Sequence, residues 1–199
     1  MARLSMVLPL IAALAAAPAA AQDDGDTTKV EPVLDTGSRV VQSDVAPDGT
    51  YVRETSGDWQ VKCLKDPAGA ERCQLYQLLL DANGNSVAEA NIFRLKDSGQ
   101  VMAGATIVVP LETLLTEGLT LSVDNGNAKR YNFSFCTPIG CFARLGFTEA
   151  DVDAFKRGAT GTILIVPALA PNQPVAVSMS LAGFTKGFDL ITPIEGPKQ

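Results

Sequence analysis

The chain has 199 residues, 46% hydrophobic and 19% charged, which suits one domain of ordinary size and excludes collagen or a coiled coil. A formal net charge of −6 argues against nucleic acid or an anionic membrane as partner, since both are held through clustered Lys and Arg. Histidine is absent, which removes Ser-His-Asp and Cys-His catalysis, His-ligated zinc and histidine pH switching.

The first segment reads as a secretory signal peptide over residues 1–21. Arg3 supplies the positive charge, Leu4 to Leu14 the apolar run, and Ala19-Ala20-Ala21 before Gln22 a small-x-small cleavage site. Cleavage is expected after Ala21. Later apolar runs are each broken within about ten residues, well short of a spanning helix, so no transmembrane segment is expected in the mature chain. Residues 22–55 are rich in Asp, Gly, Thr, Ser and Pro without a period and read as a flexible acidic leader, with an edge strand near Ser38 to Gln42 as the alternative. A single β-rich domain is expected over 56–194.

From Gly57 the texture changes. Trp59, Val61 and Cys63 alternate with Asp58, Gln60 and Lys62, which predicts a strand with Trp59 turned inward as a core residue beside a disulfide. Further strands are expected at Arg72 to Leu80, Val87 to Leu95, Val101 to Val109, Leu119 to Asp124, Lys129 to Cys136, Cys141 to Gly146, Thr162 to Val166 and Val175 to Leu181. Asn83-Gly84 and Asp124-Asn125-Gly126 are tight-turn signals. Ile163 to Val166 is continuously apolar, as in a strand buried on both faces. Thr148 and Asp151 resemble a capping box with Asp in place of Glu, opening a helix to Arg157 that Gly158 stops. A second helical turn fits Leu181 to Leu190, where Phe184 and Phe188 are four apart. The fold class is mainly β: an antiparallel β-sandwich or partly open barrel with one or two short helices.

Four cysteines in an exported chain read as two disulfides, and four allow three connectivities. Local pairing is expected, Cys63 with Cys73 and Cys136 with Cys141, because each pair brackets a turn-rich stretch. Neither spacing is that of a thioredoxin-type redox site, and a four-thiol zinc site is the alternative. No metal and no cofactor are expected. Carboxylate catalysis would have to use Asp58, Glu89 or Asp151, each with a structural explanation: a strand start, a solvent face and a helix cap. Phe133, Phe135, Phe142 and Phe147 could line an apolar ligand pocket or fill the core.

The signal peptide, Gly57-Asp58-Trp59-Gln60-Val61-Lys62-Cys63, Cys73-Gln74-Leu75-Tyr76-Gln77, Cys136-Thr137-Pro138-Ile139-Gly140-Cys141 and Ser180-Leu181-Ala182-Gly183-Phe184, in this order, resemble the invasion-associated locus B family of bacterial envelope proteins. The resemblance covers about Thr55 to Leu190. It implies a β-rich exported protein, matches all four cysteines and Trp59 to the family's positions, and supplies no catalytic residue. The expected function is that of a noncatalytic periplasmic or secreted envelope protein acting by protein binding, linked in pathogens to host-cell invasion. Its protein partner, in the envelope or on a host cell, and its binding residues are unknown; a periplasmic small-ligand carrier is the alternative.

Overall fold

The computed structural model describes residues 48–96, 98–124 and 126–196. The expected signal peptide at 1–21 and the leader up to residue 47, with its alternative strand near Ser38, lie outside them. Five successive antiparallel strands open the fold: β1 (Thr50–Ser56), β2 (Trp59–Lys65), β3 (Glu71–Leu80), β4 (Ser86–Lys96) and β5 (Val101–Val109). Next come β6 (Leu119–Val123), β7 (Lys129–Tyr131), β8 (Phe133–Thr137), β9 (Gly140–Thr148) and the helix α1 (Glu149–Arg157). The chain then forms β10 (Thr160–Ile165), β11 (Val175–Ser180), α2 (Phe184–Leu190) and a two-residue β12 (Ile194–Glu195) parallel to the end of β4.

The strand order is β7-β6-β10-β11-β3-β4-β5-β9-β8, with β1 and β2 branching from β3. The two end strands are neighbours in sequence, separated only by Asn132, so the sheet is nearly closed into a barrel. The expected single strand from Lys129 to Cys136 is therefore divided: Tyr131 pairs with Leu119 of β6, while Phe133 pairs with Ala143 of β9. One extended segment changes partners at Asn132, and alternation along a segment does not reveal which neighbour each half takes.

Strand alternation sorts the side chains. Trp59, Val61, Leu75, Leu79, Ile92, Ile107 and Ile163 face an apolar interior and are at most 1% exposed. The expectation that Ile163 to Val166 is buried on both faces is corrected, because Leu164 is 38% exposed. Strand β10 lies between β6 and β11 in a single antiparallel layer, and its outer face is wet. The leader boundary is corrected as well. Thr50 to Ser56 forms β1, pairing with β2 through the two-residue turn Gly57-Asp58, where Gly57 takes a φ of 56°. Its mixed polar sequence hides it because, apart from Ser56, the strand is only half-buried or exposed.

The helices pack on each other, α1 also on β5 and β9, and α2 on β1 and β2. Thr148 caps α1 with a reciprocal capping box to Asp151, and Val152 and Phe155 are its buried positions. Phe184, Gly187 and Phe188 are those of α2. Edge-on aromatic contacts run from Trp59 through Phe184 (5.6 Å), Phe155 (5.5 Å), Phe147 (4.8 Å) and Tyr131 (6.4 Å), linking β2, both helices, β9 and β7.

Candidate functional site

Two sequence motifs about 120 residues apart meet in one knot, in which Trp59 and Phe184 are buried and the turns themselves reach the surface. The turn at Gly57-Asp58 lies against the turn at Ala182-Gly183. The Asp58 amide donates to the Ala182 carbonyl at 3.1 Å, and the Ser56 hydroxyl donates to the Gly183 carbonyl at 2.8 Å. Trp59 is fully buried; its indole N–H donates to the Ser180 carbonyl at 2.9 Å and its ring meets Phe184 edge-on. Gln77 brackets Ser180, donating to its carbonyl at 3.0 Å and accepting from its amide at 2.8 Å. The Ser180 hydroxyl donates to the Asp58 carboxylate at 2.5 Å. These polar groups satisfy one another, as a structural clamp requires. Trp59 shares the inward face of β2 with Val61 and Cys63, but its contact is with Phe184, four residues along the strand from the first disulfide.

The disulfides join Cys63 to Cys73 and Cys136 to Cys141, each across an antiparallel pair. Cys63, Cys73 and Cys141 are buried and no described cysteine is free. Each closes a short loop, worth about 2 to 3 kcal/mol by chain entropy. Non-reducing peptide maps should give these two linked pairs; reduction should lower unfolding stability by about that amount per bridge. A cross-linked pair such as Cys63 with Cys136 would contradict the pairing.

The three candidate carboxylates do not converge. Asp58 serves the knot, Glu89 stands on the outer face of β4, and Asp151 closes the α1 capping box and pairs with Lys129 at 2.5 Å. Burial opposes the charge of Asp151, but hydrogen bonds from Lys129 and Thr148 outweigh it and hold its carboxyl below the ordinary 3.8. A depressed folded value gives stability that is complete above the ordinary value and lost as pH falls through the lower one. The stability gap between wild type and Asp151→Asn should thus be wide near neutral pH and close in acid, as measured by urea unfolding across pH. A gap independent of pH would show that the cap geometry, and not the charge, is what matters.

The four phenylalanines do not form one pocket either. Phe147 belongs to the core and Phe133 is half-buried against it. Phe135 and Phe142 stack at 4.7 Å on the outside, where the Arg144 guanidinium lies 5.2 Å from the Phe135 ring. A cleft of about 320 Å³ between the β6–β7 hairpin and α1 is floored by parts of Leu121, Tyr131 and Phe155 and rimmed by Lys129 and Asp151.

The outer face of β2, β3, β4, β5 and β9 is the candidate site, and strand register arranges it in rows. One row runs Gln60, Tyr76, Asn91, Thr106, Arg144; the next runs Leu78, Glu89, Val108, Phe142, Phe135. On the other side of the first row, Phe93 faces Gly104, which faces Gly146. The Lys62 ammonium sits 3.0 Å above the Tyr76 ring. Burial lowers the pKa of Lys62, against the nearby Glu89, while burial and then the Glu89 charge raise that of Tyr76. Of these residues the sequence reading places only Gln60, Lys62 and Glu89 outward, and alternation along one strand cannot show which residues are neighbours across strands. No helix of the described residues is long and apolar enough to cross a membrane.

This is a disulfide-stapled antiparallel barrel, nearly closed and packed with two short helices, whose two most distant motifs form one clamp. The family model for invasion-associated locus B proteins matches residues 59–192, and the chain belongs to that family. Invasion protein B homologs from two Brucella abortus strains are each 33% identical over 141 residues, 70% of this chain and 79% of theirs. The crystal structure of invasion-associated protein B from Bartonella henselae has the same fold, with a TM-score of 0.59, 24% identity, and coverage of 68% of this chain and 91% of that one.

Proposed function

We propose that this protein is an exported, noncatalytic envelope protein, periplasmic or secreted, that acts by binding another protein. The observation that carries the reading is the outer face of β2, β3, β4, β5 and β9, which sets aromatic and cationic side chains side by side, each half-buried or exposed. Aromatic residues and Arg are the side chains enriched in protein interfaces. Membership in a family named for invasion supports a role at the cell envelope, and two disulfides suit an oxidising compartment. The candidate carboxylates are engaged in a turn clamp, a surface row and a helix cap, which favours binding over hydrolysis. A small-ligand carrier is the weaker reading, since the phenylalanines that would line its pocket are split between the core and the outer surface.

The test is affinity capture from envelope extract with the purified protein, together with cell fractionation. Saturable retention of one protein, and recovery of the chain in the periplasmic or secreted fraction, is the expected outcome. A co-purifying small molecule in native mass spectrometry, with no retained protein, would favour the carrier instead.

A further inference from the structure

We propose that the outer face around Phe93 binds an extended segment of a partner protein that carries apolar side chains between acidic residues. The proposal rests on the protein-binding reading above and adds the chemistry of the partner. Phe93 forms a ridge between two depressions. One, of about 560 Å³, is lined by Phe93, Leu95, Val101, Arg144 and Gly146; the other, of about 270 Å³, by Lys62, Leu64, Arg72, Gln74, Phe93 and Ile194. The ridge depends on a glycine beneath it. A Cβ on Gly104 would lie 2.4 Å from the Phe93 ring, so only a bare backbone lets the ring lie across β5. At Gly146, one strand further, a Cβ would meet nothing closer than Val101 at 3.4 Å, so the floor there is open.

Charge decides what fits. Among the described residues Arg53, Lys96, Lys129, Arg130, Lys156, Arg157 and Lys186 each pair with a carboxylate; Lys65 and Arg94, outside both linings, do not, and neither do Lys62, Arg72 and Arg144. All three border the depressions, and no described carboxylate lines either one. A chain of net charge −6 thus leaves unpaired cations at both ends of an apolar saddle. The complementary occupant is apolar in the middle and anionic at its ends. Strands β2 to β9 span four strand spacings, about 19 Å, which is the reach of about six residues of extended chain. The strands under the saddle are already paired on both edges, so recognition here is by side chains and not by strand addition.

The experiment probes an array of random acetylated hexapeptides with the purified protein, and then measures selected peptides by fluorescence anisotropy in low and high salt. Asp or Glu near both ends with Leu, Ile, Phe or Val between them should be enriched, and affinity should fall as salt screens the pairs. Arg72→Glu combined with Arg144→Glu should weaken the selected peptides at least tenfold. Both side chains are exposed, so this variant should keep the wild-type circular dichroism and unfolding midpoint. Enrichment of basic peptides, no enrichment, or binding unchanged by the reversal would overturn the proposal, as would exclusive binding to anionic phospholipid vesicles. The two readings fail separately. An envelope protein captured equally by wild type and the reversed variant overturns this assignment and leaves protein binding standing, whereas no capture by either removes the reading beneath it.

Discussion

Trp59→Ala should lower the free energy of unfolding by about 3 to 5 kcal/mol, the range for removing a large aromatic from a packed core. The indole is fully buried, meets Phe184 edge-on at 5.6 Å, and gives its N–H to the Ser180 carbonyl. Truncation removes all three contributions and opens a void where β2, β11 and α2 meet. Trp59→Phe separates them, since it keeps most of the apolar contact and loses the hydrogen bond. Because Gln77 still donates to the Ser180 carbonyl, that acceptor is not orphaned and the Phe variant should cost only about 1 to 2 kcal/mol. Urea unfolding followed by far-UV circular dichroism gives both numbers, and a loss below about 1 kcal/mol for the Ala variant would mean that the indole is not in the core.

Alternation made the inward positions of β2 legible, because period 2 in Trp59, Val61 and Cys63 follows directly from strand geometry. The α1 capping box was legible for the same reason: Thr148 and Asp151 act within one turn. What remained hidden depends on long-range register. The partner change at Asn132 that nearly closes the barrel, the pairing of β12 with β4, and the adjacency of Phe93, Gly104 and Gly146 all join segments whose separate patterns carry no information about one another. Strand β1 was missed because an edge strand with one buried residue, Ser56, shows no apolar alternation. The motifs Gly57-Asp58-Trp59 and Ala182-Gly183-Phe184 could be recognised singly, but their meeting could not. It is the meeting that explains both glycines.

Gly183→Ala should therefore be among the most damaging single-methyl additions in the chain, at about 3 kcal/mol or more. Two effects add. Gly183 has a φ of 83°, a conformation that costs an L-residue about 1 to 2 kcal/mol. Its new Cβ would also lie 2.0 Å from the Ser56 carbonyl oxygen and 2.6 Å from the Gly57 amide nitrogen, and relieving such overpacking costs a further 1 to 3 kcal/mol or so. Those atoms are backbone and cannot rotate away. The turn that carries them is tied in place by the Asp58 amide on Ala182 and the Ser56 hydroxyl on Gly183 itself. Gly57→Ala tests the contact from the other side, since its Cβ would come within 2.3 Å of the Ala182 carbonyl oxygen. Gly84→Ala is the control. Its φ is also 83°, but a Cβ there meets nothing within 4 Å, so it should pay the conformational cost alone, about 1 to 2 kcal/mol. The excess for Gly183 over Gly84 in urea unfolding measures the turn-to-turn contact, and Trp59, the only tryptophan, should report the displacement as changed native-state fluorescence in the Gly183 variant but not in the Gly84 variant. Equal losses for the two variants would show that the turns at Gly57 and Gly183 do not touch in solution.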